Sequence, residues 1–298
     1  MGKGKKYDNG VEKIKRRVET LVKARPSHKD VLEFFKDVVV EQYTIRSKVR
    51  TAPVEIDEEY FKTKVMEGLP LIEKRAITLD LPSAKRLFKR LCNIMSHNKK
   101  VSQDIEQITQ AFKKKEIDLI ELFKQIDSNN NAYITTLSKK LGVRENILSF
   151  LARESIKPIF EAYARELGSR VDQERWWRGY CPICGSKPFI AEFKEEGARF
   201  LVCSSCSYEW RFNRLKCPFC ENDNHEKLRH FYAEKEGKAY MVDVCDNCKR
   251  YIKTIETNEP GAEVIPIIED AGTLFLDVLA QNEGFTKEGT TLKSPISG

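Results

Sequence analysis

Four Cys-x-x-Cys pairs crowd the stretch between positions 181 and 248: Cys181/Cys184, Cys203/Cys206, Cys217/Cys220 and Cys245/Cys248. No other feature of the 298 residues restricts the fold as much. A Cys-x-x-Cys turn sets two sulfurs on one side of a tight knuckle. Two knuckles joined by a hairpin therefore present four thiolates to one tetrahedral ion. Disulfides are not the expected use of these cysteines. Met1–Asn9 is basic and no apolar stretch follows it, so a secretory signal is not expected and a reducing cytoplasm is.

The hairpin between neighbouring pairs favours sequential grouping over interleaving. One predicted metal site is Cys181, Cys184, Cys203 and Cys206; the other is Cys217, Cys220, Cys245 and Cys248. His225 and His230 lie near the second site. With four sulfurs at hand they read as loop and strand residues rather than ligands. Gly185 follows its knuckle and permits a positive φ there. The ninth cysteine, Cys92, shares an apolar helical stripe with Phe88, Leu91 and Met95 and reads as a small buried hydrophobe.

A closed four-sulfur cage has no open position for substrate. It suits a structural or electron-transfer metal and argues against hydrolysis. Zinc and a rubredoxin-type iron fit such a cage equally well. Modules this small bury little apolar surface, so the metal should supply much of their folding free energy.

The predicted class is α+β, with an all-α N-terminal helical domain over 1–170. Helices are expected near 11–22, from Ser27 with Asp30 as a cap, at 58–66, 82–97, 102–114, 117–127 and 144–167, with a kink at Pro158. Asp127–Asn131 reads as a polar break. Near Trp176 helical periodicity gives way to short strands and turns. Two rubredoxin-like or zinc-ribbon β modules are expected, over 175–215 and 216–258, and they resemble an internal repeat. Their hairpin turns fall at Glu195-Glu196-Gly197 and Glu236-Gly237. A C-terminal helix, about 271–281, and a tail complete the chain over 259–298.

The net charge of +7 resides in residues 1–50, and the remainder balances to zero. A basic segment invites a nucleic-acid reading, but a solvated helix face explains it as well. No apolar run reaches the roughly 18 residues of a membrane span.

The cysteine-rich half resembles the FdhE family of formate dehydrogenase accessory proteins. Trp176-Trp177-Arg178-Gly179-Tyr180 leads into Cys181-Pro182-Ile183-Cys184-Gly185-Ser186-Lys187-Pro188, similar to the family's CPxCGSxP. Cys203-Ser204-Ser205-Cys206, Glu209-Trp210, Arg214 and Cys217/Cys220 resemble a second block. Cys245/Cys248 with Tyr251-Ile252-Lys253 resembles a third, and Leu279–Phe285 resembles the family's helix end. The likeness is close over about 175–290 and looser before it, where Gly68-Leu69-Pro70-Leu71 and the Pro158 helix fit.

The resemblance implies a cytoplasmic, non-catalytic chaperone-like maturation factor needed for active formate dehydrogenase. Its partner would be the catalytic subunit, which carries molybdenum or tungsten and an iron–sulfur cluster. It also implies two metal ions, with iron favoured over zinc. A client surface is expected at Trp210, Arg211 and Arg214, with Phe212 beside them, because Trp and Arg anchor interfaces. The alternatives are a rubredoxin-type electron carrier, a zinc-ribbon nucleic-acid-binding protein and, more remotely, a thiol–disulfide oxidoreductase. The sequence leaves the oligomeric state open, a homodimer included.

Overall fold

The structure is a computed structural model that describes residues 2–54, 57–74, 77–128, 130–194, 197–233, 239–256 and 264–288. Glu195, Glu196, Glu236 and Gly237 of the expected turns lie outside the described residues. The first eight helices are α1 (Gly2–Ala24), α2 (Lys29–Arg46), α3 (Glu58–Glu67), α4 (Leu81–Ser96), α5 (Ser102–Lys113), α6 (Leu119–Asp127), α7 (Asn131–Leu141) and α8 (Glu145–Leu167). Six strands follow: β1 (Pro188–Phe193), β2 (Arg199–Cys203), β3 (Glu209–Arg211), β4 (Leu228–Phe231), β5 (Tyr240–Cys245) and β6 (Arg250–Glu256). Then come α9 (Pro266–Gly272), α10 (Leu274–Asn282) and β7 (Thr286–Lys287). With eight helices ahead of a mixed sheet and two more after its sixth strand among the described residues, the class is α+β.

Two compact units divide these elements. Met1–Pro53 with Lys74–Tyr163 forms one; Val54–Glu73 with Ala164–Thr290 forms the other. The segment carrying α3 thus leaves the helical unit in which it stands in sequence.

In the helical unit, amphipathic helices bury one stripe each. On α4 the buried positions are Ala84, Leu87, Phe88, Leu91, Cys92 and Met95, spaced three and four apart. They share the core with Leu32, Phe35 and Val38 of α2 and Leu148 and Leu151 of α8, all fully buried. Each such side chain contributes roughly 1.5–3 kcal/mol by leaving water. Phe35 meets Phe150 edge-on at 6.2 Å. Cys92 is buried, as its stripe predicts, and burial pushes its thiol up to about 12.

Helix starts follow capping chemistry. Asp57, Asp80, Asp118 and Asn130 each accept a backbone N–H of the first turn. Asn130 explains α7, which the polar run 127–131 conceals: the run is a helix end plus the next helix's cap. The Ser27/Asp30 cap does not form. Pro26–His28 makes a 3₁₀ turn instead, and α2 begins without a side-chain cap.

Pro158 sits inside α8, which is helical on both sides of it. Proline has no N–H, so the carbonyl of Glu154 loses its helical donor. Gln42 of α2 replaces that donor. Its Nε2 donates to Glu154 O at 3.1 Å and to Glu154 Oε2 at 2.7 Å.

In the second unit all strands join one seven-stranded sheet, ordered β3-β2-β1-β6-β5-β4, with β7 also on β6. Each cysteine-rich half is an antiparallel three-stranded piece. The halves fuse where β1 runs parallel to β6, Ile190 opposite Lys253. The two expected modules therefore share one sheet. Residues 271–281 do not form one helix: α9 and α10 meet at Thr273, whose hydroxyl donates to Glu269 O at 2.7 Å. Leu276, Ala280 and Phe285 pack on Ile190, Val242 and Tyr251.

A buried charge cluster fastens these helices to the sheet. Lys253 of β6 reaches Asp270 at 2.7 Å and Asp277 at 2.6 Å, and Lys287 of β7 reaches the same two carboxylates. The Tyr251 hydroxyl donates to Asp277 at 2.8 Å. Buried charges of this kind are tolerated because each has an opposite partner.

Candidate metal centres

Each cysteine pair forms the same backbone knuckle. The residue after the second cysteine adopts a left-handed conformation: Gly185 (φ 71), Ser207 (φ 55), Glu221 (φ 58) and Lys249 (φ 56). Its N–H returns to the carbonyl of the first cysteine, in Gly185→Cys181 (2.9 Å), Ser207→Cys203 (3.2 Å), Glu221→Cys217 (3.0 Å) and Lys249→Cys245 (2.8 Å). Three of the four positions are not glycine, so the sequence signals this geometry only at Gly185. N–H groups within the knuckles also point at sulfur. Those of Ser205 and Cys206 lie 3.4 Å from Cys203 Sγ, and that of Phe219 lies 3.4 Å from Cys217 Sγ.

The knuckles meet pairwise in sequence order. Cys181, Cys184, Cys203 and Cys206 form one group and Cys217, Cys220, Cys245 and Cys248 the other, with all sulfurs of a group within 4.8 Å of one another. His225 and His230 belong to neither group. The closest sulfurs stand 3.5 Å apart in the first (Cys181–Cys206, Cys184–Cys203) and 3.7 Å in the second (Cys217–Cys248, Cys220–Cys245). A tetrahedron with about 2.3 Å metal–sulfur bonds has edges of about 3.8 Å. A disulfide would bring two sulfurs to about 2.05 Å. The donor set and its spacing therefore fit a tetrahedral ion in each group. Four protein sulfurs fill that geometry and leave no position for substrate.

The two groups differ in cover. All four cysteines of the first are buried; in the second Cys220 is exposed and Cys248 half-buried. As thiols, Cys181 and Cys206 are pushed well up by burial and by the neighbouring cysteines, so a cation between them is what makes four thiolates tenable. Burial also raises Cys248, to about 11. At Cys220 burial is outweighed by hydrogen bonds from Asn247 and Asn222, which bring it to about 7.

The first centre owes its cover to the strap that precedes α4. Leu71 N–H donates to Pro182 O at 2.8 Å and Ile72 N–H to Ile183 O at 3.0 Å, as an added strand would. Pro70 lies so close to Gly185 that a β-carbon there would stand 2.9 Å from its Cγ. Residues 68–72 carried no sequence signal for this role beyond the Gly-Leu-Pro-Leu pattern.

The aromatic run ahead of Cys181 is a spacer between the centres. Trp176 is buried and its indole N–H donates to Tyr180 O at 2.9 Å. A β-carbon at Gly179 would stand 1.9 Å from Pro218 O, in the knuckle of the second centre. Tyr180 donates to Gly68 O at 2.7 Å, which holds the strap.

Trp210 is fully buried, and its indole N–H donates to Arg178 O at 3.1 Å. That corrects its expected place on a client surface: its ring packs the ribbon, as does Phe212, also buried. Arg211 is exposed and pairs with Glu174 at 3.0 Å. Arg214 lies over the Phe193 ring at 4.3 Å and donates to Gly197 O.

Comparisons with known proteins agree with this architecture. The model of the FdhE central domain matches residues 180–214 and that of the FdhE C-terminal domain matches 215–292. An FdhE homolog of Aquifex aeolicus (strain VF5) is 28% identical over 275 residues, 91% of this chain and 90% of that protein. Residues 180–292 match the FdhE central and C-terminal domains in succession. FdhE of Escherichia coli O157:H7 is 33% identical over 114 residues, 37% of this chain and 36% of that one. The crystal structure of the FdhE protein from Pseudomonas aeruginosa shares the fold, with a TM-score of 0.65 at 20% identity, over 93% of this chain and 92% of that chain. Among the described residues no helix is long and apolar enough to cross a membrane.

Proposed function

We propose that the chain is a cytoplasmic accessory factor for formate dehydrogenase that binds the immature catalytic subunit and is not itself the catalyst. The match to the FdhE central and C-terminal domains, and the likeness to an FdhE homolog along most of the chain, support the link to formate dehydrogenase. The observation that carries the reading is the pair of closed four-sulfur cages fixed on one continuous sheet. Such cages stiffen a surface and leave no open coordination position for chemistry. All eight cysteines serve as metal ligands in this reading, and iron is preferred to zinc.

Trp177 and Arg211 are the anchors we assign to the client surface. Trp177 is an exposed large hydrophobe beside the first knuckle, and Arg211 is exposed on β3. The test is capture of a formate dehydrogenase catalytic subunit by the full chain, with metal content measured on the same sample. Trp177→Ala with Arg211→Ala should lower capture at least tenfold at unchanged metal content. Equal capture by the double variant would remove the surface, and no capture by the parent chain would remove the function. A rubredoxin-type electron carrier is the second reading, favoured by the exposure of Cys220. Two irons that reduce and reoxidise reversibly without any captured client would support it.

A further inference from the structure

Next to the second centre, with Cys217 and Cys245 in its wall, a cavity of about 100 Å³ opens on the sheet. Its lining includes Arg199, Arg214, Lys216, Arg229, His230 and Arg250 and, among the described residues, one carboxylate, that of Asp243. Most of these cations are already engaged. Lys216 pairs with Glu221 at 3.2 Å, Arg229 with Asp246 through two nitrogens, and Arg250 with Glu288 at 2.7 Å. Two retain capacity. Arg214 has an aromatic ring and one carbonyl as its described contacts.

Arg199 is the more telling. It is 3% exposed, yet lines the cavity. One terminal nitrogen donates to Asp243 at 2.8 Å and the other to Lys216 O at 3.3 Å. Its Nε is buried and finds no acceptor among the described residues. Buried donors are satisfied almost without exception. An oxyanion in the cavity would lie against the Arg199 guanidinium and Arg214 together, since both residues line it. Guanidinium groups suit phosphate, whose oxygens accept two parallel N–H bonds.

We propose that this cavity is a binding site for one phosphoryl group, held by Arg199 and Arg214. Its volume suits a group of phosphoryl size. The ligand is then free phosphate or the terminal phosphate of an ester whose remainder lies outside. The rival is that these cations serve only as counter-charges to the thiolate centre beside them, since Cys217 and Cys245 also line the cavity.

The experiment is a calorimetric titration of the metal-loaded full chain with inorganic phosphate and with phenyl phosphate, at constant ionic strength. Metal content is checked before and after. Saturable binding of either probe, weakened at least tenfold by Arg214→Gln and by Arg199→Lys but unchanged in Arg90→Gln of α4, is the expected result. Phosphate alone binding would mark a site for the free ion; phenyl phosphate binding equally well would mark a site open to esters. Arg214 is surface-exposed, so its variant reports even if Arg199→Lys fails to fold. The proposal is overturned by no saturable binding of either probe. It is equally overturned by binding that Arg214→Gln leaves intact, or by a variant that changes metal retention alone. None of these outcomes depends on capture of a client.

Discussion

At Ser207, Glu221 and Lys249 the chain turns left-handed although each carries a β-carbon. That conformation costs an ordinary L-residue roughly 1–2 kcal/mol, and the knuckle imposes it. Ser207→Gly should therefore raise stability, by up to about 1 kcal/mol after the entropy glycine adds to the unfolded chain. Thermal unfolding of the metal-loaded protein checks this, and a lower midpoint would sink it. Gly179 is the opposite case. Its hydrogen faces Pro218 O across the gap between the centres, and no side chain fits. Gly179→Ala should cost more than about 2 kcal/mol through backbone displacement. Asp104 shows a third residue-level effect. Burial raises its carboxyl, but donors from the Arg144 side chain and backbone outweigh this and hold it below the usual range. Its contribution to stability is present above about pH 3.9, the unfolded value, and is lost as pH falls through the depressed folded value. Asp104→Asn should thus be less stable than the parent near neutrality, and acid titration of both should show the gap closing below about pH 4.

Among the elements, α2 and α8 are coupled by a donor that proline removed. Gln42→Leu should destabilise by about 1–3 kcal/mol, because it leaves the Glu154 carbonyl buried without its partner. In Pro158→Ala the helical N–H returns to that carbonyl. The same Gln42 substitution should then cost less, and equal costs in a double-mutant cycle would refute the coupling. The two candidate metal centres differ at the same scale. The first lies under the strap 68–72; the second exposes Cys220. Chelator challenge should empty the second centre at least tenfold faster, with Cys220 alkylated first on peptide mapping. Equal release rates would show that burial of the ligands does not control exchange.

The chain as a whole has two compact units with different sources of stability. The helical unit rests on buried apolar stripes; the sheet unit places eight cysteines among its short strands. Removing metal should abolish the unfolding transition of the sheet unit and leave most far-ultraviolet helical signal, since α1, α2 and α4 to α7 need no metal. Loss of all helical signal with the metal would show one cooperative unit.

Much of this was legible in the sequence because the informative signals are local. The spacing of the cysteine pairs determined which sulfurs gather, since a hairpin brings adjacent knuckles together. The period of apolar residues determined most helices. What only the tertiary structure decided are pairings between distant segments. The strap 68–72 on the first knuckle, the parallel seam of β1 and β6, the burial of Trp210 under Arg178 and the capture of the Glu154 carbonyl by Gln42 are all of this kind. Each is a hydrogen bond or a packing contact between residues far apart in the chain, and such contacts leave no periodic trace in either partner. Trp210 makes the point in one residue: its neighbours in sequence suit an interface, and its neighbours in space made it core.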